Sequence, residues 1–551
     1  MDRNGVNRLE LTTDQRAAAD IRGRPLLVSA GAGAGKTRVL VERLMGYLSE
    51  PGGGHGIDRF LLITYTRAAA GEMRERILNA LRERLADQPE RLLRQTALAH
   101  NAWICTLHAY CLEIYREHCA AAGPDAEDSL PPDLRMGDET ELALLRLEAL
   151  DDTLDEWFDA PEDGGPGHAA LTDMGVDRRG DRRLGELVYA VWEKTRAYQT
   201  ADWERRCLDI AGREVWEPAL LEDARRELAL WQARLTALRF PADSGPKDAA
   251  QLSDLHAQLS GLLSAAHRWD TLSAALADVR LPARRPGHGQ SPSDVFLQAL
   301  RRRLESLRHT FSGSADEGEA DARAALPAAR ALLEAARRFD RRYSDAKAGR
   351  KLMDYHDLER FALRVLSGPD GGPSAVARKI SRRFIEIFVD EYQDINPLQD
   401  RIVRLLSREG RNVFRVGDVR QSVYRFQNAD PGLFMEKYAR YARWRPDSPP
   451  EDTDSGLTVS LSDNFRSRPE ILDAVNFVFA RLMAPGSGEA AYEPLRAGRG
   501  AAARGPDALA GVEWLVTDLS DSDGEEDLAA EARTVARRLR ELIAAGGAGP
   551  E

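Results

Sequence analysis

The stretch Ser29-Ala30-Gly31-Ala32-Gly33-Ala34-Gly35-Lys36-Thr37 lies between an apolar run, Leu26-Leu27-Val28, and a segment with apolar residues at helical spacing, Val39, Leu40, Leu44 and Leu48. Strand, glycine-rich turn and helix in that order leave few folds open. The alternating glycines let backbone N–H groups converge at a helix N-terminus, where the helix dipole favours an anion. Lys36 adds a point charge suited to the β- and γ-phosphates of a nucleotide, and the Thr37 hydroxyl suits Mg2+. Ala30 stands where the strict pattern has glycine. Taken alone, the segment also reads as a plain Gly/Ala-rich turn at a helix start.

A second segment favours the phosphate cradle. The apolar run Phe384-Ile385-Glu386-Ile387-Phe388 leads into Val389-Asp390-Glu391-Tyr392-Gln393-Asp394. A carboxylate pair at the tip of a buried strand is what a phosphate-loop ATPase needs: Asp390 to hold Mg2+ through its waters, Glu391 to orient and deprotonate the attacking water. An Asp-Glu pair alone is common in solvated turns. Beside a phosphate loop it indicates hydrolysis of a nucleoside triphosphate.

At 551 residues the chain exceeds one ordinary domain. Hydrophobic residues make up 43% and charged residues 30%, as in a globular protein. No apolar run approaches the length of a membrane span, and Met-Asp-Arg-Asn-Gly lacks the core of a signal peptide, so the expected location is the cytoplasm and no membrane partner is expected. Cys105, Cys111, Cys119 and Cys207 lack the tight spacing of zinc or redox pairs and read as reduced thiols. A net charge of −12 argues against indiscriminate coating of nucleic acid but leaves room for a local basic groove.

Texture divides the chain into four parts. Residues 1–120 alternate short apolar strands, including Phe60-Leu61-Leu62-Ile63, with amphipathic helices, which implies a parallel sheet flanked by helices. Residues 121–370 are rich in Leu, Ala, Arg and Glu at helical spacing (141–154, 219–238, 325–339), broken by Gly/Pro/Asp-rich stretches, and read as a helical insertion. Sheet texture returns over 371–445, with 384–389 and 412–416 as strands. After a Pro/Asp/Ser-rich stretch at 446–456, strands at 458–461 and 512–516 and a helix near 528–545 predict the start of a second α/β unit over 446–551. The expected fold is therefore an α/β phosphate-loop NTPase with a large helical insertion and part of a second such domain.

Further motifs narrow the class. Leu11-Thr-Thr-Asp-Gln15 precedes the loop, and Ile63-Thr-Tyr-Thr-Arg-Ala-Ala-Ala-Gly-Glu-Met-Arg-Glu-Arg-Ile77 and Trp103-Ile-Cys-Thr-Leu-His-Ala-Tyr-Cys111 follow it. Then come Val389-Asp-Glu-Tyr-Gln-Asp-Ile-Asn-Pro-Leu-Gln399, Val416-Gly-Asp-Val-Arg-Gln-Ser-Val-Tyr-Arg-Phe426 and Leu461-Ser-Asp-Asn-Phe-Arg-Ser-Arg468. In this order the series resembles the UvrD/Rep-like superfamily 1 DNA helicases, with RecA-like motor domains. Within them it looks most like the AddA group of ATP-dependent helicase/nucleases; Gly137-Asp-Glu-Thr-Glu-Leu-Ala-Leu-Leu145 and Asp354-Tyr-His-Asp-Leu-Glu-Arg-Phe-Ala-Leu363 carry that narrower likeness. RecB-like and plain UvrD-like helicases are close competitors.

The resemblance implies ATP and Mg2+ as cofactors, with the backbone from Ala30 through Gly31, Ala32, Gly33, Ala34 and Gly35 to Lys36 and Thr37 around the phosphates. Gln15 would read adenine, and Arg38 and Phe465 would flank it. Gln421 and Arg466 would sense the γ-phosphate, Arg466 stabilising transition-state charge. Single-stranded DNA would pass Thr64, Tyr65, Thr106, His108, Tyr424 and Phe426, since aromatic platforms bind bases without reading sequence. Tyr424, Phe426 and His108 also read as ordinary core or hydrogen-bonding residues. Gln427 stands where the family usually has arginine, so no role is carried to it.

The implied activity is 3′-to-5′ helicase action on single-stranded and duplex-end DNA in double-strand-break repair and recombination. The heterodimer partner it implies is an AddB-like nuclease/helicase subunit. The later helicase motifs of the second motor domain and the acidic nuclease cluster do not appear after Arg468. A fragment that binds ATP and carries no nuclease is therefore expected. An ATP-gated DNA-binding module without turnover of its own, and a stand-alone UvrD-like repair helicase, are the alternatives.

Overall fold

The computed structural model describes residues 10–50, 55–86, 88–99, 101–119, 133–159, 169–171, 182–198, 200–209, 212–237, 246–281, 292–422, 428–447, 456–483, 492–498, 512–513, 515–517 and 524–544. Its centre is a seven-stranded parallel sheet. The strands are β1 (Leu26–Ala30), β2 (Phe60–Thr64), β3 (Trp103–Thr106), β6 (Glu386–Val389), β7 (Val413–Gly417), β8 (Ala442–Arg443) and β9 (Leu457–Leu461). Their order across the sheet is β3-β2-β6-β7-β1-β9-β8, as expected of α/β texture. The pairs β4 (Arg135–Met136) with β5 (Leu352–Met353), and β10 (Asp463–Asn464) with β11 (Arg496–Ala497), are separate two-stranded sheets.

Strand residues point alternately to opposite faces, and the chain uses both for cores. Leu26, Val28, Phe60, Leu62, Phe388, Phe414 and Val416 pack with Val39, Leu40 and Leu44 on one face. Leu27, Leu61, Ile63, Ile387, Val389 and Val413 pack with Tyr110, Phe361 and Ile402 on the other. Helices α1 (Thr13–Asp20), α2 (Lys36–Leu48), α3 (Arg67–Arg84), α4 (Pro89–Ala99) and α5 (Leu107–His118) belong to this body. Thr12 opens α1 with a capping box closed by Gln15.

The helical insertion is present, from α6 (Glu139–Asp159) to the 35-residue helix Ala315–Gly349. Its described residues form two apolar cores, one around Trp231, Trp269 and Phe311 and one around Trp192, Phe339 and Tyr343. Its limits differ from the expected 121–370. The β4–β5 pairing closes its base, Arg135 opposite Leu352, and the helices Tyr355–Leu366 and Ala375–Arg383 pack beneath the main sheet through Phe361, Leu366 and Ala377.

Leu457–Leu461 was expected to open a second α/β unit. It pairs instead with β1, Leu26 opposite Leu457 and Ala30 opposite Leu461, and buries Leu457, Val459 and Leu461 in the first core. The described residues on both sides of the composition break at 446–456 belong to the same sheet, where β1 offers those apolar residues a buried edge. Among the described residues of 512–516 there is no strand, and Trp514 lies outside them; the helix Gly524–Ala544 forms as expected. Cys105, Cys111 and Cys119 are free thiols. No described helix is long and apolar enough to cross a membrane.

Candidate functional site

In the sheet order β7 separates β1 from β6, so three strand ends converge: the glycine loop after β1, Asp390-Glu391 after β6 and Asp418 after β7. The loop turns at Gly33 (φ 72°) and Gly35 (φ 82°), a region that L side chains rarely enter. A Cβ on Gly33 would sit 2.8 Å from both Arg466 Cβ and Asn464 Nδ2. Gly35 then starts α2, whose first residues are Lys36 and Thr37.

Lys36 Nζ donates to Glu391 Oε2 at 2.7 Å, joining the cradle to the acidic strand. Glu391 adopts a left-handed backbone (φ 48°), which costs a non-glycine residue energy and aims its carboxylate at the loop. The same Oε2 accepts from Gln393 Nε2 at 3.0 Å, and Gln393 Nε2 also reaches Asp394 Oδ2 at 3.1 Å. Gln393 Oε1 in turn accepts the backbone N–H of Asp418 at 2.9 Å, and Gln421 Nε2 donates to Asp418 Oδ2 at 2.8 Å. A hydrogen-bonded chain thus runs from Lys36 to Gln421.

Asp390 is half-buried beside Glu391. Burial first, then the neighbouring negative charge, pushes its carboxyl up to about 6, against the opposing pull of Lys36. Such a carboxylate, partly shielded from water at the tip of its strand, suits a divalent cation. Among the described residues no cluster of three His, Cys, Asp or Glu groups could hold a metal by itself.

Gln15 is buried under the loop, Nε2 donating to the Ala34 carbonyl at 3.0 Å while Oε1 accepts from Thr12 N at 3.1 Å. Its amide thus supports the cradle, with one donor hydrogen and one lone pair still unspent. Arg38 is half-buried on the first turn of α2. Phe465 N donates to Gly33 O at 2.9 Å, and exposed Arg466 lies over the same glycine. Sequence reasoning missed Asn464, whose Nδ2 donates to Ala32 O at 2.6 Å and whose Oδ1 accepts from Arg466 N and Ser467 N. It also gave no role to Gln393. An amide has both donors and acceptors, so each can bridge two segments of the chain, but nothing in local spacing marks that.

Thr64, Tyr65, Thr106 and His108 line one cleft of about 700 Å³ between the sheet and the insertion, which reaches Asp390. Their exposure differs. Thr64 and Thr106 are buried; the Thr64 hydroxyl donates to Thr66 O at 3.1 Å, and Thr106 caps α5 by accepting from Ala109 N. His108 Nε2 lies 3.0 Å from Glu359 Oε1, and its ring centroid is 4.7 Å from that of Tyr355. Burial alone would raise the Glu359 carboxyl, but hydrogen bonds from His108 and His356 outweigh it and bring it to about 2. Tyr424, Phe426 and Gln427 lie outside the described residues.

Residues 11–442 match the family described as UvrD/REP helicase N-terminal domain. The chain is 34% identical to the AddA component of the ATP-dependent helicase/nuclease of Pelotomaculum thermopropionicum, covering 97% of this chain and 46% of that protein. It is 35% identical to the protein so named in Desulforudis audaxviator, over 97% of this chain and 47% of the other. The Geobacillus thermodenitrificans protein of that name is 32% identical, over 97% and 45%. The chain spans less than half the length of these curated relatives. Its cradle, its acidic strand and this match together establish that the chain belongs to the UvrD/REP helicase N-terminal domain family.

Proposed function

We propose that this chain is the ATP-binding motor portion of a DNA helicase that moves 3′ to 5′ along single-stranded DNA, in a helicase/nuclease that prepares duplex ends for recombinational repair. The observation that carries the reading is the 2.7 Å contact between Lys36 and Glu391. It brings the phosphate-binding cation and the candidate base within one nucleotide's reach.

In the free protein each neutralises the other. When ATP enters the cradle, Lys36 Nζ turns to the β- and γ-phosphates, as does the backbone N–H array of Gly31–Gly35. Glu391 Oε2 then keeps only its bond from Gln393 and takes a proton from the attacking water. The water oxygen bonds to the γ-phosphorus while the bond to the β–γ bridging oxygen breaks. Mg2+, held by Thr37 and Asp390, would neutralise charge on the phosphate oxygens. Arg466 would offset charge developing on the transferred group, and Gln421 would report the γ-phosphate through Asp418 and Gln393. Gln15, Arg38 and Phe465 would hold the adenine.

The cleft beside Tyr65 and His108, with Tyr424 and Phe426, would carry single-stranded DNA. Buried Thr64 and Thr106 would shape its floor and leave few direct phosphate contacts of their own. The relatives are named as one component of a helicase/nuclease, which supports an AddB-like second component as partner, and the reading places the assembly in the cytoplasm. Nuclease chemistry is assigned to no residue of this chain.

The test is ATP hydrolysis by the 551-residue chain with and without a single-stranded oligonucleotide. DNA-stimulated turnover that disappears in Glu391→Gln, with ATP binding retained, supports the motor. Binding without turnover in the unmodified chain favours the ATP-gated module, and unchanged turnover in Glu391→Gln overturns the assignment of the base.

A further inference from the structure

A second cavity, of about 410 Å³, opens at the opposite edge of the sheet, where the strands begin; Pro25 before β1, Arg411 before β7 and Gly456 before β9 all line it. One side chain there is unusual. Arg415, in the middle of β7, is 3% exposed, and its Nε and Nη1 have no hydrogen-bond partner among the described residues. Its guanidinium carbon lies 5.2 Å from the centroid of the Tyr392 ring. A buried cation with unfilled donors is costly unless something negative completes it.

The surroundings have an excess of positive charge. Arg404, Arg411, Lys437 and Arg440 line the cavity with Arg415. Its acids are Asp400, Glu409 and Glu436. Asp400 is already engaged: Tyr392 Oη donates to Oδ1 at 2.8 Å and Lys437 Nζ to Oδ2 at 3.3 Å. Glu436 is paired with Arg440 at 3.8 Å, on the exposed rim. Burial holds the Lys437 ammonium below its ordinary range, and Arg415 adds to this while Asp400 opposes it. For Arg415 itself, burial is more than offset by the facing oxygens of Tyr392, Tyr441 and Asp400, so it stays charged.

We infer that this cavity is an oxyanion site, with Arg415 at its floor and Arg404, Lys437 and Arg440 around a bound phosphate group. The cavity has room for a phosphate group together with ordered water, and charge-assisted bonds to a guanidinium are the strong class of hydrogen bond. The site is distinct from the nucleotide cradle, which lies at the other ends of the same strands. The phosphate could come from solution or from a nucleic-acid backbone, and the chemistry is shared.

The experiment is the dependence of melting temperature on inorganic phosphate, at ionic strength matched with chloride, in a Lys36→Ala background that weakens the cradle. The expected result is a saturable rise in Lys36→Ala that is lost in Lys36→Ala/Arg415→Met. Equal phosphate responses in the two proteins would overturn the site, as would no response in either. Should the methionine variant fail to fold, Arg440→Ala tests the rim. Removing one rim charge should raise the phosphate midpoint roughly threefold, and an unmoved midpoint overturns the proposal. A single-stranded oligonucleotide that abolishes the Arg415-dependent response identifies a backbone phosphate as the source. A response that persists identifies free phosphate.

Discussion

Arg43 and Glu386, 343 positions apart, form a two-pronged ion pair inside the first core, Nε to Oε2 at 2.7 Å and Nη2 to Oε1 at 2.6 Å, with side-chain exposures of 0% and 3%. Arg43 Nη1 also donates to the carbonyls of Ala18 and Ile21 at the end of α1. One side chain therefore ties the helix carrying Gln15, the helix carrying Lys36 and the strand leading to Asp390. The glycine loop and the acidic strand are positioned against each other by a contact outside every motif.

Arg43→Met should destabilise the chain by about 3–5 kcal/mol, because it strands a buried glutamate. The double change Arg43→Met/Glu386→Leu should recover most of that loss. Urea melts of the three proteins decide the matter; a single variant as stable as the double would show that Glu386 tolerates isolation.

Asp390→Asn should stabilise the metal-free chain at neutral pH. The carboxyl is raised from 3.8 to about 6, so the folded state prefers the proton. That preference stabilises the fold below pH 3.8 and is lost as pH rises through 6. The asparagine has no such penalty and should gain up to roughly 3 kcal/mol at pH 8, fading to nothing near pH 4. Thermal melts at both pH values, with chelator present, measure it.

Glu359 behaves oppositely. Its carboxyl is held near 2 against an ordinary 4.5, so its contribution is full above pH 4.5 and is lost as pH falls toward 2. Glu359→Gln should cost on the order of 3 kcal/mol near neutrality and progressively less in acid. The same change removes the partner of His108 in the cleft, so oligonucleotide affinity should change with it. A variant gap that stays constant from pH 7 to pH 3 would contradict the pairing.

Asn464→Ala should weaken nucleotide binding by roughly tenfold, the effect of losing about 1.4 kcal/mol of loop positioning. Its amide holds Ala32 O and the backbone of Arg466 and Ser467. Fluorescent-nucleotide titration checks this, and an unchanged affinity would mean that the loop needs no such brace.

Much of the site was legible in the linear sequence, because its parts obey local rules. Alternating glycines before a lysine at a helix start, and an acidic pair closing an apolar run, each need only a few neighbouring residues to be recognised. The motif order then identified the family, and helical spacing marked the insertion. What tertiary structure alone decided was which distant pieces meet. The placement of β7 between β1 and β6, and of Leu457–Leu461 beside β1, depends on which buried edge accepts which strand. Composition at 446–456 pointed the other way. Gln393, Asn464 and the pairing of Arg43 with Glu386 were equally hidden. Polar side chains inside a sheet protein are defined by partners hundreds of residues away, and periodicity records only which way a residue faces, not what it will touch.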